Sequence, residues 1–282
     1  MRKFFFPFQY IVVHLQARKK QSMNKILYAA IVIAAALASC AEQYNIQGSS
    51  SVARLDGSKL YLKALKEAKL QSIDSCEVVH GKFKFAGIFD TTLMASLYMD
   101  EQSIMPLVVE QGNISVRIDD VQQNVSGTPL NELLYDFLEK HNQMDNQMVE
   151  LSHRESQMLL DGIDEETIGK QLSREAQLIA TRMDSLETHF IIDNFDNVLG
   201  PGIFMMVTSR YQYPILTPQI EELMSKATDK FKSDAYVSNY YREANEIHEK
   251  MRNGDATAST ASNAPIVEEP TDSIVQSILN GE

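Results

Sequence analysis

At Thr128-Pro129 the hydrophobic period of the chain changes, and that change constrains the fold more than any motif. Upstream, short apolar runs are punctuated by the turn residues Asp56-Gly57, His80-Gly81 and Gly112-Asn113. Period-two alternation between such turns reads as strands, expected over residues 44–48, 59–65, 70–79, 82–87, 94–100, 104–110, 113–118 and 124–126. In Lys82-Phe83-Lys84-Phe85 the alternation puts both rings on one face and both ammonium groups in water. His80-Gly81, just before it, reads as the tight turn of a hairpin, with Gly81 supplying a positive φ. Repeated hairpins of this kind predict an antiparallel β-sandwich or a partly open barrel over residues 40–127.

Downstream the period becomes 3.5. Leu130, Leu134, Phe137, His141, Met144, Met148, Leu151, Glu155 and Met158 recur at alternating spacings of four and three, a heptad seam interrupted at His141 and Glu155. Asp161-Gly162 ends that helix, and a second is expected over 164–193 with Ile168, Leu172, Ile179, Met183, Leu186 and Phe190 on one stripe. Two long helices joined by a short turn make an antiparallel helix hairpin. After Gly200-Pro201-Gly202 a short helix is expected over 203–211. Thr217-Pro218 starts another, and the last runs over 234–252. The fold class is therefore α+β, with a helical region over 128–253 behind the β domain. His141 within the seam suits a buried polar contact better than a ligand position, and the seam methionines suit core packing.

The N-terminus carries an address. Asn24-Lys25 precedes an unbroken apolar run over 26–36, and Leu37-Ala38-Ser39-Cys40 closes it. The run is shorter than the ~20 residues that cross a bilayer core, and its layout over 23–39 is that of a secretory signal peptide. A Cys directly after Leu-Ala-Ser resembles the bacterial lipobox, which implies lipidation of Cys40 as the mature N-terminus. A complete signal begins at Met23, so residues 1–22 are either a mis-assigned start or an extended basic n-region.

Removing the leader shifts the charge. Residues 1–39 hold six basic side chains and no acidic one, so 26 less six leaves 20 basic against 38 acidic, a net of about −18. A surface of that sign repels nucleic acid and anionic headgroups, so membrane attachment falls to the lipid on Cys40. With Cys40 acylated, Cys76 is the remaining cysteine, and there is no Cys-x-x-Cys. Cys76 lies in a strand-like alternation with Glu77 beside it, an environment for a small buried hydrophobe rather than a reactive thiol. From Asp255 to Asp272 the composition turns to Asp, Ala, Thr, Ser and Pro, so residues 254–282 are expected to be a disordered acidic tail.

No motif of catalysis emerges. His80, His141, His153, His189 and His248 are scattered without zinc-like spacing. Asp119-Asp120 ends a strand and Glu165-Glu166 opens a helix, where acids suit the dipole. Gly-x-Ser-x-Gly, the P-loop and Gly-x-Gly-x-x-Gly are missing. No catalytic residue, cofactor or metal is expected.

The ordered segments Leu55 to Leu62, Ile73-Asp74-Ser75, Gly81 to Gly87, Pro106 to Ile114 and Val125 to Asn131 resemble a domain-of-unknown-function family of Bacteroidota. In that family the domain is the N-terminal part of lipoproteins ending in a thioredoxin-like thiol–disulfide oxidoreductase. Asn197-Val198-Leu199-Gly200-Pro201-Gly202-Ile203-Phe204 resembles their connecting segment, so the likeness extends from Tyr44 to about Asn253. Where those proteins continue into a thioredoxin fold, this sequence enters the Asp255 tail, so the redox role does not carry over. Two functions remain as expectations. One is a non-catalytic binding or assembly lipoprotein of the cell envelope, in the outer membrane facing the periplasm, with a protein partner. The other is an accessory component of a thiol–disulfide system working beside a separate thioredoxin-like protein.

Overall fold

The computed structural model describes residues 42–66 and 69–253. Cys40, the leader over 1–39 and the tail over 254–282 lie outside the described residues, as does residue 41. Eight strands come first: β1 Glu42–Ser50, β2 Lys59–Lys66, β3 Lys69–Glu77, β4 Lys82–Phe89, β5 Leu93–Met99, β6 Gln102–Val109, β7 Gly112–Ile118 and β8 Gln123–Ser126. Six helices follow: α1 Pro129–Leu160, α2 Glu165–Asp193, α3 Leu199–Thr208, α4 Pro218–Lys226, α5 Asp229–Lys232 and α6 Ala235–Arg252. The α+β class and the order of strands before helices follow the period change at Thr128.

The strands form two open four-stranded sheets, ordered β4-β1-β7-β8 and β3-β2-β5-β6, so the barrel alternative is set aside. The pairing is antiparallel except between β1 and β7, which run parallel in register Ile46 with Ile114. Inward residues of both sheets share one core, with Ile46, Phe85 and Ile114 from the first meeting Leu60, Leu62, Leu97 and Leu107 from the second. Phe83 and Phe85 are buried while Lys84 is exposed, as the alternation requires.

The turn at His80-Gly81 forms, with φ of 51° and 66° and a single Val79–Lys82 bridge. Its strands do not make a hairpin in one sheet. β3 pairs with β2, whereas β4 pairs with β1, so the turn is a corner between sheets. Gly57 and Ser58 take the carbonyl and amide of Val78, and Ser50 donates to the Gly81 carbonyl, drawing the two arms apart.

The helices cover the outer side of the second sheet. Val108, pointing away from the sandwich core, is fully buried there. Its N–H donates to Asn131 Oδ1 at 2.8 Å, and its carbonyl accepts from Asn131 Nδ2 at 2.7 Å. One side-chain amide thus pairs the edge of β6 as a further strand would. Glu110 Oε1 accepts from the N–H groups of Leu130 and Asn131 at 2.9 and 3.1 Å. It caps α1 where Thr128 makes no side-chain cap to the backbone, and an anion there suits the helix dipole. Tyr135 closes the junction by donating to the Pro106 carbonyl.

Helix α3 starts at Leu199, four residues before its expected start at 203. Gly200-Pro201-Gly202 reads as a breaker, yet Pro201 lies in the first turn, where its missing N–H costs nothing. The glycines are there for close approach. A Cβ on Gly202 would collide with Met94 Sδ of β5, and one on Gly200 with the Asn194 carbonyl oxygen.

The hairpin of α1 and α2 has a second, smaller core in its distal half: Leu151, Ile168, Leu172 and Ile179, packed by Met144, Met148 and Met158. At ~1.5 Å per residue the 32 residues of α1 span about 48 Å. Glu155 leaves the seam for solvent. Arg154 instead holds Glu175 of α2 with two bonds of 2.8 and 3.0 Å.

Candidate functional site

Two polar constellations stand out, one closed and one open. The closed one is centred on Glu187 of α2, whose side chain is 0 % exposed. Its Oε1 accepts from His141 Nε2 of α1 at 3.0 Å and from Arg210 Nη2, just beyond α3, at 2.6 Å. Its Oε2 accepts from Gln219 Nε2 of α4 at 3.1 Å. His141 Nδ1 in turn reaches Asp145 Oδ2 at 2.8 Å. Bonded to a carboxylate on each nitrogen, His141 is held cationic, its pKa raised to about 9 by Asp145 and then Glu187 against the opposing effect of burial. Burial works to raise the Glu187 carboxyl, but the bonds from His141, Gln219 and Arg210 and the Arg210 charge hold it below its ordinary range. Burial and the charge of Glu187 raise Asp184 nearby, and Arg210 offsets part of that. These bonds join α1, α2 and α4 and the segment just after α3, so the cluster acts as a fastening between helices.

Sequence reasoning marked His141 as a polar contact and missed its partner. The signal was present: Met183, Glu187 and Ile191 are spaced by four and all buried, so the glutamate occupies an apolar position of the stripe.

The open constellation lies on the outer face of the β4-β1-β7-β8 sheet. Outward positions there are Lys82, Lys84, Ala86 and Ile88 on β4, and Gln43, Asn45, Gln47 and Ser49 on β1. Asn113, Ser115 and Arg117 continue the rows on β7, with Asn124 and Ser126 on β8. None of these positions is acidic, although the chain as a whole carries a net charge of −12. Between β4, β1 and β7 the surface dips into a cavity of about 530 Å³ lined by Gln43, Tyr44, Asn45, Lys84, Ala86, Gly87, Ile88 and Asn113. Pleating aligns Ala86, Asn45 and Asn113 in one row across the three strands.

Within the row Asn45 Nδ2 donates to Asn113 Oδ1 at 2.7 Å. Asn45 Oδ1 is buried and has no hydrogen-bond partner among the described residues. A buried acceptor left unpaired costs about 1–3 kcal/mol, and it stands out because nearly all such atoms in folded proteins are satisfied. Tyr44 lines the dip from the core side. Its hydroxyl donates to Asp74 Oδ2 at 3.2 Å, and burial, then the Asp74 charge, push its pKa up to about 12. Lys84 forms no ion pair among the described residues, and Ile88 is 69 % exposed. The arrangement offers amide donors and acceptors, one free cation and a small apolar shelf. Among the described residues that line it there is no nucleophile beside a base.

The remaining sequence-marked residues have structural places. Asp119 accepts from the N–H groups of Gln122 and Val121, which lower its pKa. Asp164 caps α2 through the Thr167 N–H, and Glu166 pairs with Lys170. His189 bonds to the Ser185 backbone. Cys76 is half-buried on β3, its thiol raised by burial and by Asp74 against a bond from the Lys84 backbone. No group of three or more potential metal ligands occurs among the described residues, and no described helix is long and apolar enough to cross a membrane.

Residues 44–134 match the model of a domain of unknown function, DUF4369, which spans the strands and ends in the first turns of α1 at Leu134. No curated protein and no solved structure matches the chain.

Proposed function

We propose that the mature chain is a lipid-anchored protein of the cell envelope, tethered through Cys40 in the outer membrane and facing the periplasm, that binds without catalysing. The observation that carries the binding half is the dip around Asn45, on the sheet face the helices leave open, lined by carboxamides and by Lys84, which forms no ion pair among the described residues. The anchoring half rests on Leu37-Ala38-Ser39-Cys40 behind the apolar run. A net charge near −18 gives the polypeptide as a whole no net attraction for anionic lipid, so the acyl chains supply the attachment, each buried CH₂ adding about 0.8 kcal/mol.

Membership of a thiol–disulfide system, alone or beside a thioredoxin-like partner, rests on the family resemblance. The half-buried, raised thiol of Cys76 works against it, because exchange needs a thiolate and a resolving cysteine. Cell fractionation tests the anchor. Wild-type protein is expected in the detergent-soluble membrane fraction, and Cys40→Ala in the aqueous fraction or stalled as precursor. Unchanged membrane partitioning of Cys40→Ala would refute the anchor.

A further inference from the structure

The chemistry of the dip around Asn45 specifies a class of ligand. We infer that it receives an acidic sugar, a polyhydroxylated ring bearing a carboxylate; this rests on the reading of the dip as a binding surface. A sugar hydroxyl both donates and accepts, and so does a carboxamide. Gln43, Asn45 and Asn113 put three carboxamides at one depression, two of them already bonded to each other in a fixed orientation. The carboxamide edges that line the depression can therefore match the mixed donor and acceptor pattern of a sugar's hydroxyls.

Lys84 supplies the charge selection. It lines the same dip, it forms no ion pair among the described residues, and no outward position on the four strands carries a competing carboxylate. Lys82 and Arg117 flank it two rows away or less, and Arg117 is the one already engaged, with Asp119 at 3.4 Å. Ala86 and Ile88 form an apolar strip at the β4 side, against which the C–H face of a sugar ring can lie. At about 530 Å³ the depression falls in the range of ligand sites, roughly 300–1,000 Å³.

An acidic peptide is the competing occupant of a cationic surface. Protein interfaces draw their affinity from buried aromatic and arginine anchors seated in pockets. This face presents no outward aromatic residue, and Arg117 stands outside the dip. An amide-rich, weakly apolar floor favours the sugar.

The test is a titration of detergent-solubilised mature protein with trigalacturonate, maltotriose and triglutamate, and with galacturonate to separate a free monomer from a chain-borne residue. Hydrogen exchange maps the site in each arm. Trigalacturonate is expected to bind at least tenfold more tightly than maltotriose or triglutamate and to protect segments 43–47, 84–88 and 113–115. Lys84→Gln, an exposed change that leaves the core intact, is expected to weaken trigalacturonate at least tenfold. Asn45→Ala should do the same while leaving the far-ultraviolet spectrum unchanged. Equal binding of maltotriose protecting the same segments would overturn the acidic-sugar inference and leave the dip a binding surface. Tighter binding of triglutamate there would assign the face to protein. No protection in these segments with any of the four probes would overturn both the inference and the reading beneath it.

Discussion

Glu187→Ala is expected to lower the unfolding free energy by about 3 kcal/mol, read from a denaturant midpoint. Removing one member of a buried ion pair typically costs ~3–5 kcal/mol. The lower end applies because Arg210 and His141 keep 39 % and 16 % of their side-chain surface exposed and can turn to water. Gln219 and the core methylenes around position 187 lose a partner as well.

The same cluster sets a pH dependence. His141 has an unfolded pKa near 6.5 and stands at about 9 when folded. A raised pKa stabilises fully below the unfolded value, and the contribution disappears as pH rises through the folded one. Stability is therefore expected to fall between about pH 6.5 and 9 by on the order of 3 kcal/mol, at ~1.36 kcal/mol per pKa unit. Asp145, Glu187, Asp184 and Arg210 are the charged groups that face this cluster. His141→Gln should flatten the slope while lowering stability at pH 6. A slope that persists in His141→Gln would move its origin elsewhere.

Asn131→Ala is expected to cost more than its size suggests, about 3–5 kcal/mol. The truncation removes the pair of bonds to Val108 and leaves a backbone donor and acceptor of β6 buried without partners. Each unsatisfied buried group costs about 1–3 kcal/mol. Asn131 Nδ2 also reaches Thr128 Oγ1 at 2.9 Å and Glu110 Oε1 at 3.3 Å, so the carboxylate capping α1 loses a neighbour. The loss should concentrate at the junction of sheet and helix, where exchange of the Val108 amide would accelerate far more than that of Ile179 in the distal hairpin. Uniform acceleration across both would contradict the local role.

Local rules carried much of this fold in the sequence. The Phe83 and Phe85 alternation and the stripe through Ile168 and Leu172 each depend on neighbours within a few residues, and each appears as the pattern implies. Long-range pairing left no such trace. The parallel register of β1 with β7 joins residues about 68 apart, and β3 and β4 part into different sheets across a turn that reads as a hairpin. Gly200-Pro201-Gly202 misled because its glycines answer to Met94 and Asn194, which are distant or outside the helix. The dip was illegible for the same reason: Asn45, Lys84 and Asn113 are ordinary polar residues on three strands until pairing makes them neighbours.

Site-specific photocrosslinking in intact envelopes tests the binding role most directly. A photoreactive residue replaces Ile88, on the rim of the dip, or Leu178, which is 52 % exposed on the distal hairpin and serves as the comparison. Light-dependent adducts are expected from position 88 and to be lost when Lys84→Gln is combined with it. Adducts from position 178 with none from position 88 would place the contact surface on the helices and contradict the assignment of binding to the open sheet face.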